Sequence, residues 1–278
     1  MEWLVIDDKI RSWLKEDMNN GDLTTEALID DSMFSSGVFI AREAGIVAGL
    51  QAMCRVFHVL DEDITVDCRV NDGDTVKADD ILAIISGQTK NILRGERLAL
   101  NILQRMSGIA TQTAKFAAAV VDLPVRITDT RKTTPGMRML EKYAVRIGGA
   151  HNHRFNLSDG VLIKDNHIAA CGSIATAVAR AKDSVTHTVK IEVEVENLVQ
   201  LQEAITAGAD IIMLDNMSVE MMTEAVKLTA GRTMLEASGN VSLARVREIA
   251  ETGVDLVSVG ALTHSVKAMD ISLRFKVI

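Results

Sequence analysis

The sequence predicts an α/β protein in which an N-terminal α+β domain precedes an incomplete parallel β/α barrel. In the second half of the chain, short apolar runs alternate with helix-length segments, which is typical of right-handed βαβ units around a parallel sheet. Four of these runs end at Glu194, Asp215, Ser238 and Gly260, at intervals of 21, 23 and 22 residues. A β/α barrel repeats at this length, and about 160 residues supply six or seven of the usual eight units. An open doubly wound sheet shows the same alternation and is the alternative.

The N-terminal third mixes helices with antiparallel strands. An amphipathic pattern predicts a first helix over about Asp7 to Met18, which ends near the Gly and Asn residues of "NNGDLTT". A second helix covers "LQAMCRVFHVL", and the strands "ITVDCRV" and "ILAIISG" flank a turn at "NDGD". Residues 88–121 have a helical pattern that predicts two helices broken near "MSGIA".

The change of pattern after that helical stretch predicts the domain boundary. We expect an N-terminal domain over residues 1–105 and a barrel over residues 106–269. The last segment, residues 270–278, alternates like an edge strand and is expected to return to the first domain. The predicted barrel strands are "VRITD", "VLIKD", "KIEVEVE", "IIMLDN", "MLEAS" and "LVSVG".

Composition excludes several classes of protein. The chain of 278 residues has a net charge of −8 and a pI near 5.3, which argues against a surface for nucleic acid. No apolar run is long enough to span a bilayer, and the acidic start is unlike a targeting leader, so we expect a cytoplasmic protein. Cys54, Cys68 and Cys171 are scattered without a C-x-x-C pair, so buried free thiols are expected in place of disulfides or a zinc site.

A basic segment interrupts this acidic chain. From residue 131 to residue 164 there are seven Lys or Arg residues and two acids, and the segment starts in the loop "TRKTTPG". Such a segment is a candidate anion site. Arg138, Lys142 and Arg146 are spaced four apart, which favours an ordinary solvated helix face for these three.

Polar residues follow nearly every predicted barrel strand. In a parallel barrel all strand ends meet at one rim, where the functional groups lie. The residues at these ends are Asp129, Arg131, Lys132, Lys164, Asp165, Asn166, Glu194, Asp215, Asn216, Ser238, Gly239, Asn240, Gly260 and His264. The turns "EASGN" and "SVGALTHS" place small residues before a predicted helix, where backbone N–H groups can bind a phosphate. A phosphorylated sugar together with a polyanionic small molecule would suit this rim.

Two groups at the rim have more than one interpretation. Glu194 and Asp215 could hold Mg²⁺ or sugar hydroxyls, or they could be ion-pair partners of Lys164. The run "HNHR", residues 151–154, could chelate a metal or could contact an anion or a ring nitrogen.

Long motifs in the chain resemble those of the quinolinate phosphoribosyltransferase family. The barrel motifs are "TRKTTPGMRMLEKYAVRIGGAHNHRFNLSDGVLIKDNHI", "IEVEVENLVQLQEAITAGADIIMLDNM", "LEASGNVSL" and "TGVDLVSVGALTHS". The N-terminal motifs are "GDLTTEALI" and "GERLALNILQRMSGIAT", so the resemblance covers nearly the whole chain. One departure is Asn156, which stands where the family commonly has Gly.

The resemblance implies an open-faced α/β sandwich followed by an incomplete β/α barrel, in a homodimer or larger oligomer with shared active sites. It also implies Mg²⁺-dependent transfer of phosphoribose from phosphoribosyl pyrophosphate to quinolinate, which yields nicotinate mononucleotide, pyrophosphate and CO₂ in NAD biosynthesis.

The resemblance further assigns roles to individual residues. Arg131, Lys132, His153 and Arg154 would hold the quinolinate carboxylates, and Arg97 would reach in from a neighbouring subunit. Lys164, Glu194 and Asp215, the candidate catalytic residues, would contact the sugar and the Mg-pyrophosphate. Ser238, Gly239, Asn240, Gly260 and His264 would surround the 5′-phosphate.

Three other functions are compatible with parts of the pattern. One is a related barrel phosphoribosyltransferase of the molybdenum-transport-associated type, although that group lacks the "IKDNH" run. A second is a barrel aldolase or isomerase that uses Lys164 as a Schiff-base lysine. The third is a binding protein without catalysis.

Overall fold

The computed structural model describes residues 1–276, and the chain divides into two compact units. The first unit comprises residues 1–114, residues 134–149 and the segment from residue 266 onward, and the second comprises residues 115–133 and 150–265. Compared with the predicted boundaries, the first unit also includes residues 106–114, 134–149 and 266–269. Residues 277 and 278 of the predicted C-terminal strand lie outside the described residues.

The first unit is built on a four-stranded antiparallel sheet. Its strands are β1 (Phe34–Ala41), β3 (Thr65–Cys68), β5 (Ile81–Gln88) and β12 (Ile271–Lys276), in the order β12-β1-β5-β3. Two short strands, β2 (Gly45–Ile46) and β4 (Thr75–Val76), form a separate antiparallel pair. The C-terminal strand β12 pairs with β1 from Ala41↔Ile271 to Ser36↔Lys276.

Helices pack within this first unit around an apolar core. They are α1 (Trp3–Asp17), α2 (Leu23–Leu28), α3 (Leu50–Leu60) and α5 (Arg138–Ile147). The rings of Phe39 on β1 and Phe57 on α3 meet edge to face with 6.1 Å between their centroids, a favoured arrangement of aromatic side chains. The side chain of Asp22 accepts a hydrogen bond from the Thr25 N–H and thereby caps α2.

The longest helix, α4 (Thr89–Ala119), is continuous. The prediction of a break near "MSGIA" was therefore wrong, and Gly108 explains why a glycine stands there without ending the helix. A Cβ atom at Gly108 would lie 2.3 Å from the Lys267 carbonyl oxygen. The glycine thus permits close approach of another backbone segment within the first unit.

Helix α5 does not expose all three of the basic residues whose spacing suggested a solvated face. Lys142 is 2% exposed and Glu141 is completely buried, where it pairs with Arg105 at 2.9 Å. Arg146 is exposed and lies over the Tyr143 ring at 5.9 Å. The prediction was wrong for Lys142 because α5 packs inside the first unit with its basic stripe partly inward.

The cysteines are free thiols, but they are less buried than predicted. Cys68 is exposed, whereas Cys54 and Cys171 have intermediate burial. The Sγ atoms of Cys54 and Cys68 lie 3.8 Å apart, in contact as thiols. The thiols at α3 and β3 therefore face each other near the surface of the first unit.

The second unit contains one six-stranded parallel sheet, which confirms the predicted incomplete β/α barrel. Its strands are β6 (Arg126–Thr128), β7 (Val161–Ile163), β8 (Ile191–Val195), β9 (Ile211–Asp215), β10 (Met234–Ser238) and β11 (Leu256–Ser258). They lie in the order β6-β11-β10-β9-β8-β7, so β6 and β7 are the outer strands. His151 forms an isolated parallel bridge to Thr128, on β6.

Helices of the second unit return the chain between these strands. They are α6 (Asp165–Cys171), α7 (Ile174–Ser184), α8 (Leu198–Ala207), α9 (Val219–Thr229), α10 (Val246–Ala250) and α11 (Ala261–His264). Ser173, Asn197 and Ser218 cap α7, α8 and α9 by accepting hydrogen bonds from backbone N–H groups. Within residues 1–276, the structure contains no helix that is long and apolar enough to cross a membrane.

Candidate active site

A cavity of about 600 Å³ opens at the carboxyl ends of the parallel strands. Its lining combines four cationic side chains, three carboxylates, one imidazole and several small polar groups, so it is suited to a highly charged ligand. The lining residues are Thr130, Arg131, Lys132, His153, Arg154, Leu162, Lys164, Glu194, Met213, Asp215, Asn216, Glu236, Ser238, Gly239, Asn240 and Ser258.

The order of the strands in the sheet places side chains of similar charge next to one another, in groups that we call sectors of the rim. The loop after β6 carries Arg131 and Lys132, and the turns after β11 and β10 carry small residues. Next come two carboxylates, Asp215 at the end of β9 and Glu194 on β8, and then Lys164 after β7. A ligand that spans the cavity would therefore meet cations, small turns, carboxylates and a further cation in that order.

Arg131, Lys132, His153 and Arg154 form what we call the cationic sector of the rim. Asp129, just after β6, anchors the loop that carries His153 and Arg154. It is fully buried, its Oδ1 accepts a hydrogen bond from the His153 N–H at 2.8 Å, and its Oδ2 accepts one from Asn152 Nδ2 at 2.7 Å. Hydrogen bonds to an ionised carboxylate are among the stronger ones in proteins. They attach the "HNHR" loop to the strand that carries Arg131.

Arg154 extends from this loop into the cavity lining. Its Nη1 donates to the Gly160 carbonyl oxygen at 2.8 Å, which fixes the direction of the guanidinium. Burial lowers the pKa of Arg154, and the nearby charge of Arg131 lowers it further, whereas Glu192 and Asp159 act in the opposite direction. The two arginines thus form an electropositive pair that an anion would stabilise.

The sector of candidate catalytic residues contains an ion pair. Lys164 Nζ contacts Glu194 Oε2, and the Glu194 side chain is the more buried of the two. On the neighbouring strand, Asp215 Oδ2 accepts a hydrogen bond from Asn216 Nδ2 at 2.8 Å. Since one oxygen of each carboxylate is occupied, Glu194 and Asp215 each retain an oxygen that could contact a ligand.

A tight turn follows β10. Gly239 has φ of +94°, and a Cβ atom there would lie 2.2 Å from Asn216 Oδ1. Asn240 Nδ2 donates to the same oxygen at 3.1 Å, and the Asn216 N–H donates to the Ser238 carbonyl at 2.9 Å. Only glycine fits this position, because the turns after β9 and β10 are packed directly against each other.

The two small-residue turns differ in their relation to the helices that follow. A helix follows the small residues after β10, as predicted, but α10 begins only at Val246, so Gly239 does not lie at its N-terminus. After β11, α11 begins at Ala261 as predicted. Gly260 and His264 lie beside Lys132 at the edge of the cavity, because a Cβ atom at Gly260 would lie 3.1 Å from both side chains.

Arg97 is the predicted site residue that belongs to the first unit. It is exposed on α4, in the first unit, and is not among the residues that line the cavity of the second unit. Asn156, the departure from the family motif, has no left-handed backbone, and its Oδ1 accepts a hydrogen bond from the Ser158 N–H at 2.7 Å. The loop therefore does not require glycine at this position.

The sequence analysis missed two acidic residues. Glu192 on β8 and Glu236 on β10 are buried inside the barrel next to His153. A signal was present, because each lies two residues before a rim residue, Glu194 or Ser238, and alternate residues of a barrel strand share a face. Charged residues inside apolar strands are costly unless they have partners, and that cost could have identified them.

The fold and the cavity together define a β/α-barrel protein whose site is suited to a phosphorylated and multiply charged small molecule. Two family models match the chain: the quinolinate phosphoribosyl transferase N-terminal domain over residues 22–107 and the C-terminal domain over residues 109–274. The chain belongs to the quinolinate phosphoribosyltransferase family.

Relatives support this assignment over the full length. The probable nicotinate-nucleotide pyrophosphorylase [carboxylating] of Bacillus subtilis is 44% identical, with 98% of this chain and 94% of the relative covered. The protein of the same name from Methanocaldococcus jannaschii is 42% identical, with 95% of each covered.

Solved structures agree in fold as well. NadC from Streptococcus pyogenes superposes with a TM-score of 0.94 at 43% identity, with 100% of this chain and 99% of that chain covered. The nicotinate-nucleotide pyrophosphorylase from Francisella tularensis has a TM-score of 0.93 at 41% identity, with 98% and 96% covered.

Proposed function

We infer that the barrel cavity transfers phosphoribose from phosphoribosyl pyrophosphate to quinolinate, with loss of CO₂, in NAD biosynthesis. Membership of the quinolinate phosphoribosyltransferase family supports this reaction. The observation that carries the inference is the order of sectors around the rim, because it separates cations for a dicarboxylate from carboxylates and small turns for a phosphorylated sugar.

Quinolinate would bind in the cationic sector. Its two adjacent carboxylates need at least two cationic partners, and Arg131 lies close enough to Arg154 for its charge to lower the pKa of Arg154. An arginine fork can hold a carboxylate through two parallel hydrogen bonds, which also orients the pyridine ring. Lys132 and His153 complete this sector.

Phosphoribosyl pyrophosphate would occupy the remaining sectors. The turn of Ser238, Gly239 and Asn240 would hold the 5′-phosphate, because a glycine without a side chain lets phosphate oxygens approach backbone N–H groups. Gly260 and His264 would close this site from the next turn. Glu194 and Asp215 would then lie near the ribose and the pyrophosphate.

The donor set fits a magnesium ion carried by the substrate. Mg²⁺ is typically held by one or two carboxylates together with phosphate oxygens and water. Glu194 and Asp215 lie on neighbouring strands and line the same cavity, so they are the residues that would contact it. The bound ion would supply positive charge for the departing pyrophosphate.

The side chains would contribute mainly position and electrostatics. As pyrophosphate departs, C1 of the ribose develops positive charge, and the carboxylates of Glu194 and Asp215 would stabilise that charge. The quinolinate nitrogen attacks C1 from the cationic sector, which holds the reactants in line. Attack makes the nitrogen quaternary, and its positive charge stabilises the electron pair left on the adjacent ring carbon when the carboxylate departs as CO₂. A proton from solvent then takes the place of the carboxylate on that carbon.

The decisive assay mixes the protein with quinolinate, phosphoribosyl pyrophosphate and Mg²⁺ and follows release of CO₂ and pyrophosphate. We expect both products together with nicotinate mononucleotide, and no CO₂ when phosphoribosyl pyrophosphate is omitted. Absence of both products from folded protein would refute the function.

Two further properties belong to the same proposal. A homodimer or larger oligomer would bring Arg97 of one subunit to the cavity of another, which accounts for its exposure in the single chain. We also propose a cytoplasmic location, since three cysteines scattered along the sequence do not form the disulfide framework that is typical of small secreted domains.

The alternative functions have weaker support. A Schiff-base aldolase would need a nucleophilic lysine, but Lys164 is engaged in an ion pair with Glu194. The "IKDNH" run argues against the molybdenum-transport-associated group.

A further inference from the structure

Two buried acids, Glu236 in the cavity lining and Glu192 on β8, have no role in the proposed reaction. Glu192 is 4% exposed and Glu236 is 1% exposed. Within the described part of the chain, the Oε1 atom of each is buried without a hydrogen-bond partner. Buried carboxylates are costly, and they are retained when their charge or geometry serves a purpose.

Both acids converge on the His153 ring. His153 Nε2 lies 3.1 Å from Glu192 Oε2 and 3.5 Å from Glu236 Oε1. A candidate ligand atom from each of the three residues lies within 4.8 Å of the others, so the group could in principle hold a metal ion. The position of the ring proton decides between a metal site and a hydrogen-bonded cluster.

The other ring nitrogen of His153 indicates where that proton is. The backbone N–H of Arg154 donates to His153 Nδ1 at 2.8 Å, so Nδ1 must present a lone pair. The ring proton then lies on Nε2, where it points at Glu192. A protonated nitrogen cannot bind a metal, and the geometry therefore favours the hydrogen bond over the metal site.

Glu192 also acts on the cationic sector. Its negative charge favours the charged form of Arg154, whereas burial and the charge of Arg131 oppose it. Burial and the neighbouring Glu192 charge raise the pKa of Glu236. One buried negative charge at Glu192 thus offsets the repulsion between two arginines.

We propose that Glu192 and Glu236 are positioning residues, which hold the His153 ring with its proton on Nε2 and keep Arg154 in place for binding quinolinate. This inference rests on the proposed function, because it takes quinolinate to be the ligand of Arg131 and Arg154. His153 then acts as part of the scaffold of the cationic sector, with Nδ1 bound to the Arg154 backbone and Nε2 to Glu192.

The tautomer can be read directly in the unaltered protein. In ¹⁵N NMR of histidine-labelled protein, with His153→Gln used to assign the signal, we expect His153 to show a protonated Nε2 and an unprotonated Nδ1. A proton on Nδ1 would overturn the proposal. So would one equivalent of bound divalent metal that is present in the purified wild type and lost in Glu192→Gln. This measurement is independent of activity.

Kinetics then test the effect on substrate binding. Glu192→Gln keeps the size of the side chain but removes its charge, and we expect KM for quinolinate to rise about tenfold or more, as for loss of a charged hydrogen bond. KM for phosphoribosyl pyrophosphate should change by less than about threefold, since the loss is confined to the cationic sector. Glu196→Gln, an exposed residue just after the same strand, is the matched control and should leave both values unchanged.

If Glu192→Gln fails to fold, the ¹⁵N NMR measurement still tests the proposal, because it needs neither acid to be replaced. Equal values of KM for quinolinate in Glu192→Gln and Glu196→Gln would contradict the proposal. Wild-type protein that is inactive with quinolinate would instead refute the proposed function, whereas the NMR result would still report on the tautomer.

Discussion

Arg131 and Arg154 carry like charges at the same side of the cavity, and burial of Arg154 adds to the cost of that arrangement. The charges of Glu192 and Asp159 favour the charged form of Arg154 and so offset part of this cost. A dicarboxylate would neutralise both cations at once, so this arrangement would favour a ligand with two adjacent carboxylates.

Replacement of Glu194 by Gln should lower kcat by a larger factor than it changes KM for either substrate. The variant loses the charge that would stabilise the positive ribose, and it also loses the ion pair with Lys164. We expect kcat to fall about 100-fold, the usual scale for one electrostatic group in an active site. Steady-state kinetics with both substrates would measure this, and a kcat equal to that of the Glu196→Gln control would contradict the assigned role.

Glu236 should make stability depend on pH. Burial, together with the Glu192 charge, raises its pKa from an ordinary 4.5 to about 7. Between these two pH values the unfolded chain releases the Glu236 proton, whereas the folded chain keeps it. The contribution of Glu236 to the free energy of unfolding is therefore complete below pH 4.5 and is lost as the pH rises toward about 7. The Tm of Glu236→Gln should therefore fall less than the Tm of the wild type when the pH is raised from about 5 to about 8. Parallel curves for the two proteins would argue that Glu236 has an ordinary pKa.

On the scale of single elements, the turns after β9 and β10 show why the rim needs glycine at one position. Gly239 combines a positive φ with a backbone that touches the Asn216 side chain. The two turns are joined by the hydrogen bond from Asn240 to Asn216 at 3.1 Å. A side chain at residue 239 would push apart the elements that carry the candidate phosphate and carboxylate groups.

Replacement of Gly239 by Ala should damage both stability and substrate binding. Its matched control is Gly172→Ala, since Gly172 has a similar φ of +91° but has no atom within 4 Å of a new Cβ. The control should lose about 1 kcal/mol of stability from the left-handed backbone alone. Gly239→Ala should lose more and should raise KM for phosphoribosyl pyrophosphate about tenfold. Similar Tm and KM values in the two variants would show that the contact with Asn216 is unimportant.

At the scale of the whole molecule, the predicted site residues come from both compact units. The cavity is lined by residues of the second unit, whereas Arg97 is exposed in the first. A homo-oligomer with shared sites would use Arg97 of one chain and Arg131 of another.

Mixing variants tests this sharing. Arg97→Ala and Arg131→Ala should each be nearly inactive, but mixed dimers should regain part of the activity because one of their two sites has both arginines. The control mixture of Arg131→Ala and Lys132→Ala should not recover, since both residues line the cavity of the same chain. Subunit exchange must be shown with tagged chains, and exchange without recovery would refute a shared site.

Much of the fold followed from the sequence because its patterns are local. The six barrel strands appeared as apolar runs, and burial of a parallel sheet on both faces requires such runs. The break predicted in α4 was wrong because Gly108 serves a contact with Lys267, which is remote in sequence. The burial of Lys142 was missed for the same reason, since helical spacing does not reveal what packs against a helix.

By itself the sequence determined the parallel sheet, the polar residues at its strand ends and the family to which they belong. Only the tertiary structure decided that Glu192 and Glu236, on strands separated by β9, meet the His153 ring, and that Lys164 pairs with Glu194. The physical reason is that alternation along a strand depends on neighbouring residues, whereas the pairing of buried charges depends on distances that form only when the barrel assembles.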